Sequence, residues 1–315
     1  MNARSAGWIK AHEGYRVKGQ RCVAIKTLDK RAAKISETAP GHFVHEGLVE
    51  PVGPRNAGDI ANTGFIIGAN AVAVIDAGSS RKVAEALYLA VRSKTQLPIR
   101  YLFLTHMHPD HTLGAEVFRE AGAEIVGSAA LQQAMASRAE AYTANLKRLL
   151  GDDAFHGTKI VLPDRGVADS ETIDLGGREL ELRAHPTAHT NNDLTIYDKS
   201  SSTVWMGDLV FLTHTPALDG SIVGWIKLLS ELKKNGAKHM VPGHGPGRAA
   251  YPEGAAPTLG YLKSLAQQTR KAIKAGESLN TALKHIGQDL KGDWKEFDEF
   301  NPRNATSAYV ELEWE

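Results

Sequence analysis

Four side chains able to bind a metal ion lie within six residues of one another, directly after a short apolar stretch. They are His106, His108, Asp110 and His111, in the run Thr105-His106-Met107-His108-Pro109-Asp110-His111. In an extended segment His106 and His108 point to the same side, because side chains alternate along a strand. The turn at Pro109 directs Asp110 and His111 towards a second position. Imidazole and carboxylate ligands in this number favour zinc, iron or manganese over calcium or magnesium.

A polar surface loop is the alternative explanation of this run. Four ligand-type residues at this spacing, placed at the end of a strand, favour the metal site over the loop. The elements around the run must then bring further ligands to the same place.

The hydrophobic pattern predicts strands that alternate with helices. Strands are predicted at residues 65–67, 71–75, 101–104, 124–126, 179–183, 194–197, 203–206 and 239–241. Helices are predicted after Ser80, after Asp110, at residues 129–150, around 225–232, at 258–275 and at 279–286. No Pro-, Gly- or Ser-rich linker separates the two halves, so the pattern predicts helices covering sheets in a single domain.

The run His106-Xaa-His108-Xaa-Asp110-His111 matches the HxHxDH signature of the metallo-β-lactamase fold superfamily, which the chain resembles over roughly residues 43–250. The further ligands of that family occur in order, each where a strand is predicted to end: His189, Asp208 and His244. The resemblance implies an α/β fold, a four-layer αβ/βα sandwich with metals at the sheet edge. It implies one metal ion at His106, His108 and His189, and a second at Asp110, His111 and His244, with Asp208 bridging them. Two zinc ions per chain are expected, with iron or manganese as the other metals considered.

The same resemblance divides the chain into three segments. Residues 1–42 are expected to form an N-terminal extension packed on the main body. Residues 43–290 are expected to form the metallo-β-lactamase-like domain with its C-terminal helices, and residues 291–315 a C-terminal tail.

Other residues allow more than one interpretation. Asp76 resembles the family's buried aspartate that supports the ligand loop, and an ordinary turn or helix-start aspartate is an equal alternative. His185 competes with His189 as third ligand, although the His-Thr pair before a strand favours His189. His214 is interpreted as a loop histidine, with a place at the pocket mouth as the alternative. Cys22 is the only cysteine, which excludes an intrachain disulfide, and is expected to be an inert buried thiol.

The resemblance implies a hydrolase in which two metal ions activate water. Asp110 is expected to orient the hydroxide and to carry its proton. The expected bond is an ester, thioester, lactone, amide or lactam, because the fold does not choose among these. Two alternatives remain open: a mononuclear iron oxygenase resembling persulfide dioxygenases, and a non-catalytic metal-binding protein.

Residues beside the ligands narrow the expected substrate. Subclass B1 lactamases have Cys where Asp208 stands and, three residues later, a Lys that grips the lactam carboxylate, whereas this chain has Phe211 there. An apolar pocket mouth at Phe211 is therefore expected to favour thioesters or lactones over lactams, with Lys227 and Lys147 as the other cations considered. The runs after Asp110 and His189 most resemble the lactamase-related zinc metallohydrolases associated with thiosulfate-oxidation and quinoprotein systems.

Composition excludes several kinds of partner. The chain has 37 Lys and Arg against 36 Asp and Glu, a net charge of +1, which gives no bulk attraction to nucleic acid or to an anionic membrane. A small-molecule substrate is expected, and the oligomeric state is not predicted. The most apolar stretch, residues 64–77, is too short to cross a bilayer. The first 24 residues have no apolar run typical of a secretory signal, so the chain as given is expected to be cytoplasmic. It is expected to be periplasmic if an export signal was removed, as its exported relatives indicate.

Overall fold

The computed structural model describes residues 16, 17, 20, 21, 23, 26 and 32–315, except 234 and 235. Short strands at Arg16–Val17 (β1) and Gln20–Arg21 (β2) pair antiparallel with each other. The prediction for Cys22 lies outside the described residues, as does most of the expected N-terminal extension.

A seven-stranded sheet forms the first half of the domain, with its strands side by side in chain order. They are Ser36–Ala39 (β3), His42–His45 (β4), Thr63–Ile67 (β5), Val72–Ile75 (β6), Ile99–Phe103 (β7), Glu124–Ser128 (β8) and Arg165–Val167 (β9). The pairs from β3 to β6 are antiparallel, and the pairs from β6 to β9 are parallel. Every residue of β6 is buried, as expected for a central strand covered on both faces.

A six-stranded sheet forms the second half, again in chain order. Its strands are Ser170–Asp174 (β10), Glu179–Ala184 (β11), Leu194–Asp198 (β12), Thr203–Phe211 (β13), His239–His244 (β14) and Ala249–Ala250 (β15). The pair β13–β14 is parallel and the other pairs are antiparallel. The register of the β13–β14 pair shifts at Gly207. The φ of Gly207 is 51°, which is in the left-handed region that favours glycine.

Helices provide the crossovers that parallel strands require. They are Arg81–Lys94 (α1), Pro109–Thr112 (α2), Ala115–Glu120 (α3), Leu131–Phe155 (α4), Ile222–Ser230 (α5), Ala256–Lys274 (α6), Leu279–Ala282 (α7) and Phe297–Leu312 (α8), with 3₁₀ turns at Glu253–Ala255 and Gln288–Leu290. Gly151, with φ 74° and ψ 170°, breaks α4 near its end. Within the described ranges, no helix combines the length and the apolar character needed to cross a membrane.

Three apolar clusters define the layers. One lies between the two sheets and includes Ile66 and Ile75 from the first sheet and Leu182 and Ile196 from the second. Another packs α1 and α3 against the outer face of the first sheet, and a third packs α5, α6 and α8 against the outer face of the second. The order is therefore helix, sheet, sheet, helix. This confirms the predicted α/β sandwich.

Helix α8 was not predicted from the sequence. It lies in residues 291–315, expected as a tail, and packs against α6 through buried residues such as Phe297, Ala305 and Leu312. Its buried positions also include Asn301 and Asn304, and Pro302 lies inside it. Polar residues on the inner face and an internal proline conceal the apolar period that marks a helix.

Candidate metal centre

Five histidines and two aspartates lie together at one edge of the sandwich, in two groups. They are His106, His108, His189 and Asp208 in the first group, and Asp110, His111 and His244 in the second. The first sheet contributes the residues after β7, and the second contributes those that precede β12, lie within β13 and end β14. Every ligand that the resemblance implied is therefore in this cluster. His108 and Asp110 are its more exposed members, each with 16% of the side chain accessible, so they border its open side.

The ligand atoms of the first group are close enough together to hold one metal ion. Nδ1 of His108 lies 3.0 Å from Nε2 of His106 and 3.0 Å from Nε2 of His189. Oδ2 of Asp208 lies 3.6 Å and 3.5 Å from the same two Nε2 atoms. Ligand atoms bound about 2.0–2.1 Å from one tetrahedral zinc ion lie about 3.3 Å apart. The observed separations fall on both sides of this value.

The second group has similar separations and includes the other oxygen of Asp208. Nε2 of His244 lies 3.2 Å from Oδ2 of Asp110, and Nε2 of His111 lies 3.6 Å from it. Oδ1 of Asp208 lies 3.1 Å from Nε2 of His111 and 3.4 Å from Nε2 of His244. The two carboxylate oxygens of Asp208 therefore face different groups, which is the arrangement a bridging ligand needs.

In each of the five histidines, the ring nitrogen that points away from the cluster is hydrogen-bonded to an acceptor. The pairs are His106 Nδ1 with Thr105 Oγ1 (3.0 Å), His108 Nε2 with Asp219 Oδ2 (3.1 Å), His111 Nδ1 with Asp76 Oδ2 (2.7 Å), His189 Nδ1 with the Ala217 carbonyl (2.6 Å) and His244 Nδ1 with the Ile60 carbonyl (2.9 Å). A nitrogen that donates outward leaves the other ring nitrogen with a lone pair. All five rings are thus oriented as metal ligands usually are.

Two buried atoms of the cluster have unused hydrogen-bonding capacity. Among the described residues, Nε2 of His111 and Oδ1 of Asp208 have no hydrogen-bond partner of acceptable geometry. Leaving such atoms unsatisfied is costly, and both can direct a lone pair at a cation. Nitrogen ligands completed by carboxylate oxygens suit zinc and also iron. The residues present therefore fit two metal ions.

The electrostatics favour the ligand forms of His189 and Asp208. Burial lowers the pKa of His189 to about 3, which keeps the ring neutral at pH 7. Burial alone would raise the pKa of Asp208, but His244, His111 and His106 hold it well below its ordinary value. Neutral imidazole and ionised carboxylate are the forms that bind metal. Burial alone would lower the pKa of His111 and His244, but the carboxylates of Asp208 and Asp110 raise it.

Asp76 supports the ligand loop from below. One carboxylate oxygen accepts the Thr105 N–H at 2.8 Å, and the other accepts the Thr105 hydroxyl at 2.8 Å and His111 Nδ1 at 2.7 Å. Its φ of 56° is uncommon for a residue other than glycine. Of the two interpretations of Asp76, the structure shows support of the ligand loop.

Gly243 permits the close approach of β13 and β14 at the cluster. A Cβ atom at this position would lie 1.9 Å from Oδ1 of Asp208. Any side chain there would displace either the Asp208 carboxylate or the strand that carries His244.

Two other histidines lie near the cluster but outside both groups. Nε2 of His185 bonds to the Thr195 hydroxyl at 2.8 Å, so it is His189 that joins the first group. His214 is buried, with its ring 5.0 Å from that of His244 and 4.7 Å from that of Phe300. It therefore contributes to the wall beside the second group.

The expectation of an apolar pocket mouth at Phe211 is wrong. Its side chain is only 1% exposed and stacks behind the ligands on His244, with ring centroids 5.0 Å apart. The reason is that β13 continues through Asp208 to Phe211, beyond its predicted end at residue 206, and turns this side chain into the core.

Sequence reasoning missed three residues beside His108. Oδ2 of Asp219 contacts His108 Nε2, and Arg138 pairs with Asp219 and also donates to the Tyr142 hydroxyl. No local signal could have found this set, because 81 residues separate Arg138 from Asp219. Of the lysines considered earlier, Lys147 pairs with Asp152, and Lys227 is exposed on α5.

A family model for the metallo-beta-lactamase superfamily matches residues 57–244, more than half of the chain. The chain belongs to the metallo-beta-lactamase superfamily. The match includes every member of the cluster and ends at His244. Members of this superfamily are generally metal-dependent, hydrolytic enzymes.

Solved structures of this superfamily resemble the chain. A metallo-beta-lactamase from Pontibacter korlensis is 20% identical with a TM-score of 0.59, and the match covers 73% of this chain and 98% of that one. TMB-1 is 19% identical with a TM-score of 0.56, and the match covers 74% of this chain and 97% of that one. The inverting sec-alkylsulfatase Pisa1 from Pseudomonas sp. is 16% identical with a TM-score of 0.68, over 89% of this chain and 50% of its own. At these identities the likeness shows the fold alone. No curated protein is significantly similar to this chain.

Proposed function

We propose that this protein is a dinuclear zinc-dependent hydrolase acting on an ester, thioester, lactone or lactam-type bond. The observation that supports this most directly is that the two carboxylate oxygens of Asp208, Oδ1 and Oδ2, face different groups of histidines. A site for one metal ion would need only one of these groups.

The chain's own residues would hold two metal ions and orient the reactants. His106, His108 and His189 would hold the first ion, Asp110, His111 and His244 the second, and Asp208 would bridge. Two such ions would polarise the bond under attack and would supply hydroxide at neutral pH, by lowering the pKa of water from about 16 to about 7.

Asp110 would orient the attacking water. Its carboxylate borders the open side of the cluster. Burial alone would raise its pKa, but His111 and His244 hold the pKa of Asp110 well below its ordinary value, so the carboxylate is ionised. An ionised carboxylate accepts a hydrogen bond from water and fixes the direction of attack.

The identity of the bond depends on residues around the cluster. Solved relatives are named as lactamases and as a sec-alkylsulfatase, so a shared fold does not select the bond. We also propose that this chain is one of the lactamase-related zinc metallohydrolases associated with thiosulfate-oxidation and quinoprotein systems. This part of the proposal rests on the motif residues His106 to His111 and on His189.

Metal content tests the dinuclear site. Elemental analysis of protein purified without added metal should give close to two zinc ions per chain. A single iron ion, together with oxygen consumption in the presence of a persulfide, would overturn the proposal in favour of the iron oxygenase alternative.

Turnover tests the reaction. Zinc-loaded protein should hydrolyse at least one member of a panel of esters, thioesters, lactones, lactams and sulfate esters. A chelator should abolish this activity, and zinc should restore it. Fully loaded protein that turns over no member of the panel would instead support a non-catalytic metal-binding protein.

A further inference from the structure

One face of helix α4 changes from apolar to polar at its middle. Met135 and Leu146 are buried, whereas Arg138 and Tyr142 between them are half-buried. These positions share one face because residues three and four apart are neighbours on a helix. A face that only packed against the core would remain apolar along its length. The polar pair therefore needs another explanation.

Asp219 connects this polar pair to the metal cluster. Its Oδ2 lies 3.1 Å from Nε2 of His108 and 2.5 Å from Nη1 of Arg138, and its Oδ1 lies 3.3 Å from Nη2. Only one carboxylate therefore separates the guanidinium from a ligand of the first group. Because His108 borders the open side of the cluster, Arg138 lies on the side from which a substrate must approach.

Among the residues that the structure describes, Arg138 and Tyr142 retain hydrogen-bond donors without an acceptor. Of the five guanidinium N–H groups, two bond to Asp219 and one to the Tyr142 oxygen. Within the described ranges, the Nε–H, one Nη2–H and the Tyr142 O–H have no acceptor. The Arg138 side chain is 41% exposed, so its remaining donors are accessible to a small molecule.

The charged groups near the open side of the cluster affect the pKa of the Tyr142 hydroxyl. Burial raises its pKa, Arg138 lowers it, and the carboxylates of Asp219 and Asp110 raise it further. The hydroxyl is therefore protonated at neutral pH and able to donate. The influence of Asp110 also places it within electrostatic range of a ligand in the second group.

We propose that Arg138 and Tyr142 form an anion-binding subsite, and that the preferred substrate has a carboxylate a few carbon atoms from the scissile carbonyl. A planar guanidinium binds carboxylates through paired N–H bonds, and Asp219 fixes its orientation in advance. This inference rests on the proposed hydrolase function for the position of the scissile bond.

Paired substrates test the subsite by kinetics. Zinc-loaded protein is given the mono-thioester of glutaric acid and, separately, the same thioester with its free carboxylate methylated. Arg138→Met should raise KM for the anionic thioester about tenfold or more, and change KM for the neutral one less than about twofold. Arg138→Lys should recover part of the loss, and Tyr142→Phe should raise KM of the anionic substrate alone.

A matched control is available on the same helix. Arg148 lies further along α4 and bonds to Asn145, so Arg148→Met removes an equal charge and should leave both KM values as in the wild type. Equal increases for both substrates in Arg138→Met would indicate lost packing and overturn the subsite, as would no increase for either.

Equilibrium binding separates the subsite from the hydrolase proposal. By calorimetry, zinc-loaded protein should bind glutarate about tenfold more tightly than pentanoate, which has the same length and one carboxylate fewer. Arg138→Met should remove this preference, and Arg148→Met should retain it. This result without turnover of any substrate would support the subsite and overturn the hydrolase. Turnover without any preference for the anionic compound would overturn the subsite alone.

Discussion

Asp208 is the residue whose loss should affect both metal ions. In Asp208→Ala neither group keeps its shared carboxylate, so the second ion should bind weakly and turnover should fall by orders of magnitude. The fold should survive, because ligands at strand ends contribute less to the core than the strands do. Elemental analysis and kcat on purified variant protein measure both effects. Two firmly bound ions in Asp208→Ala would contradict the bridging role.

His185 and His189 form a matched pair for the third ligand. His185→Ala should keep both metal ions and most activity, because its ring nitrogen bonds to Thr195 outside both groups. His189→Ala should release the first ion, since its Nε2 lies 3.0 Å from His108 Nδ1. Metal content distinguishes the two variants, and the reverse result would show that the third ligand was assigned wrongly.

His42 should make folding stability depend on pH. It is buried and accepts a hydrogen bond from Trp205 Nε1 at 2.9 Å, and burial lowers its pKa from 6.5 to about 4. Between these values the unfolded chain binds a proton that the folded protein does not, so stability falls as pH decreases from 6.5 towards 4. The expected loss is about 3 kcal/mol.

Chemical denaturation at several pH values tests this expectation. His42→Gln retains an acceptor for Trp205 but does not titrate, so its stability should decline less than that of the wild type below pH 6.5. The exposed His156, replaced by Gln, serves as control and should follow the wild-type profile. If the stability of the wild type and of His42→Gln changed with pH in the same way, the pH dependence could not be assigned to His42.

Residues of the cluster could be located from the sequence because His106 to His111 form a family motif directly after an apolar stretch, and His189, Asp208 and His244 follow in the family's ligand order. That signal is local and can be recognised without knowing how the chain packs. Asp219, Arg138 and Tyr142 have no such signal. Their proximity to His108 depends on how α4 packs over a loop of the second sheet, which no spacing in the sequence encodes.

Among the elements, α8 has a direct connection to the cluster. Asn304 accepts the Leu218 N–H at 2.9 Å and donates to the Pro216 carbonyl at 2.6 Å and to the Tyr261 hydroxyl at 2.8 Å. The segment that it holds includes Ala217, whose carbonyl orients His189. The helix hidden from the sequence pattern therefore positions the loop behind the first group.

Asn304→Ala should disturb both stability and metal binding. Three hydrogen bonds of a buried amide are lost, so the free energy of unfolding should fall by about 2 kcal/mol or more. The affinity for the first zinc ion should also fall, which chelator competition measures. Arg303→Ala, an exposed change on the same helix, should affect neither quantity. Normal zinc affinity in a destabilised Asn304→Ala would limit α8 to a structural role.

For the whole molecule, the cluster joins the two sheets. His106 to His111 follow a strand of the first sheet, whereas Asp208 and His244 belong to strands of the second. Zinc bound to the folded state alone should stabilise it by about 2.7 kcal/mol at a free concentration one hundred times Kd. Thermal denaturation with zinc and with chelator measures this difference.

A ligand variant provides the control for that measurement. His106→Ala should lose most of the zinc-dependent increase in Tm. His285→Ala should retain it, because His285 is exposed and bonds to Glu277 outside the cluster. Equal Tm values for wild type with and without chelator would contradict a metal centre shared by the two sheets.

The polar middle of α4 makes this protein suitable for redesign. Met135 and Leu146 anchor the helix on either side, so positions 138, 139, 142 and 143 can be randomised together with little loss of folded protein. If the proposed hydrolase function is correct, selection from such a library is expected to change the preferred acyl group, while the residues of the cluster stay constant. The positions that vary therefore lie within residues 138–143 of α4, apart from the metal-binding cluster.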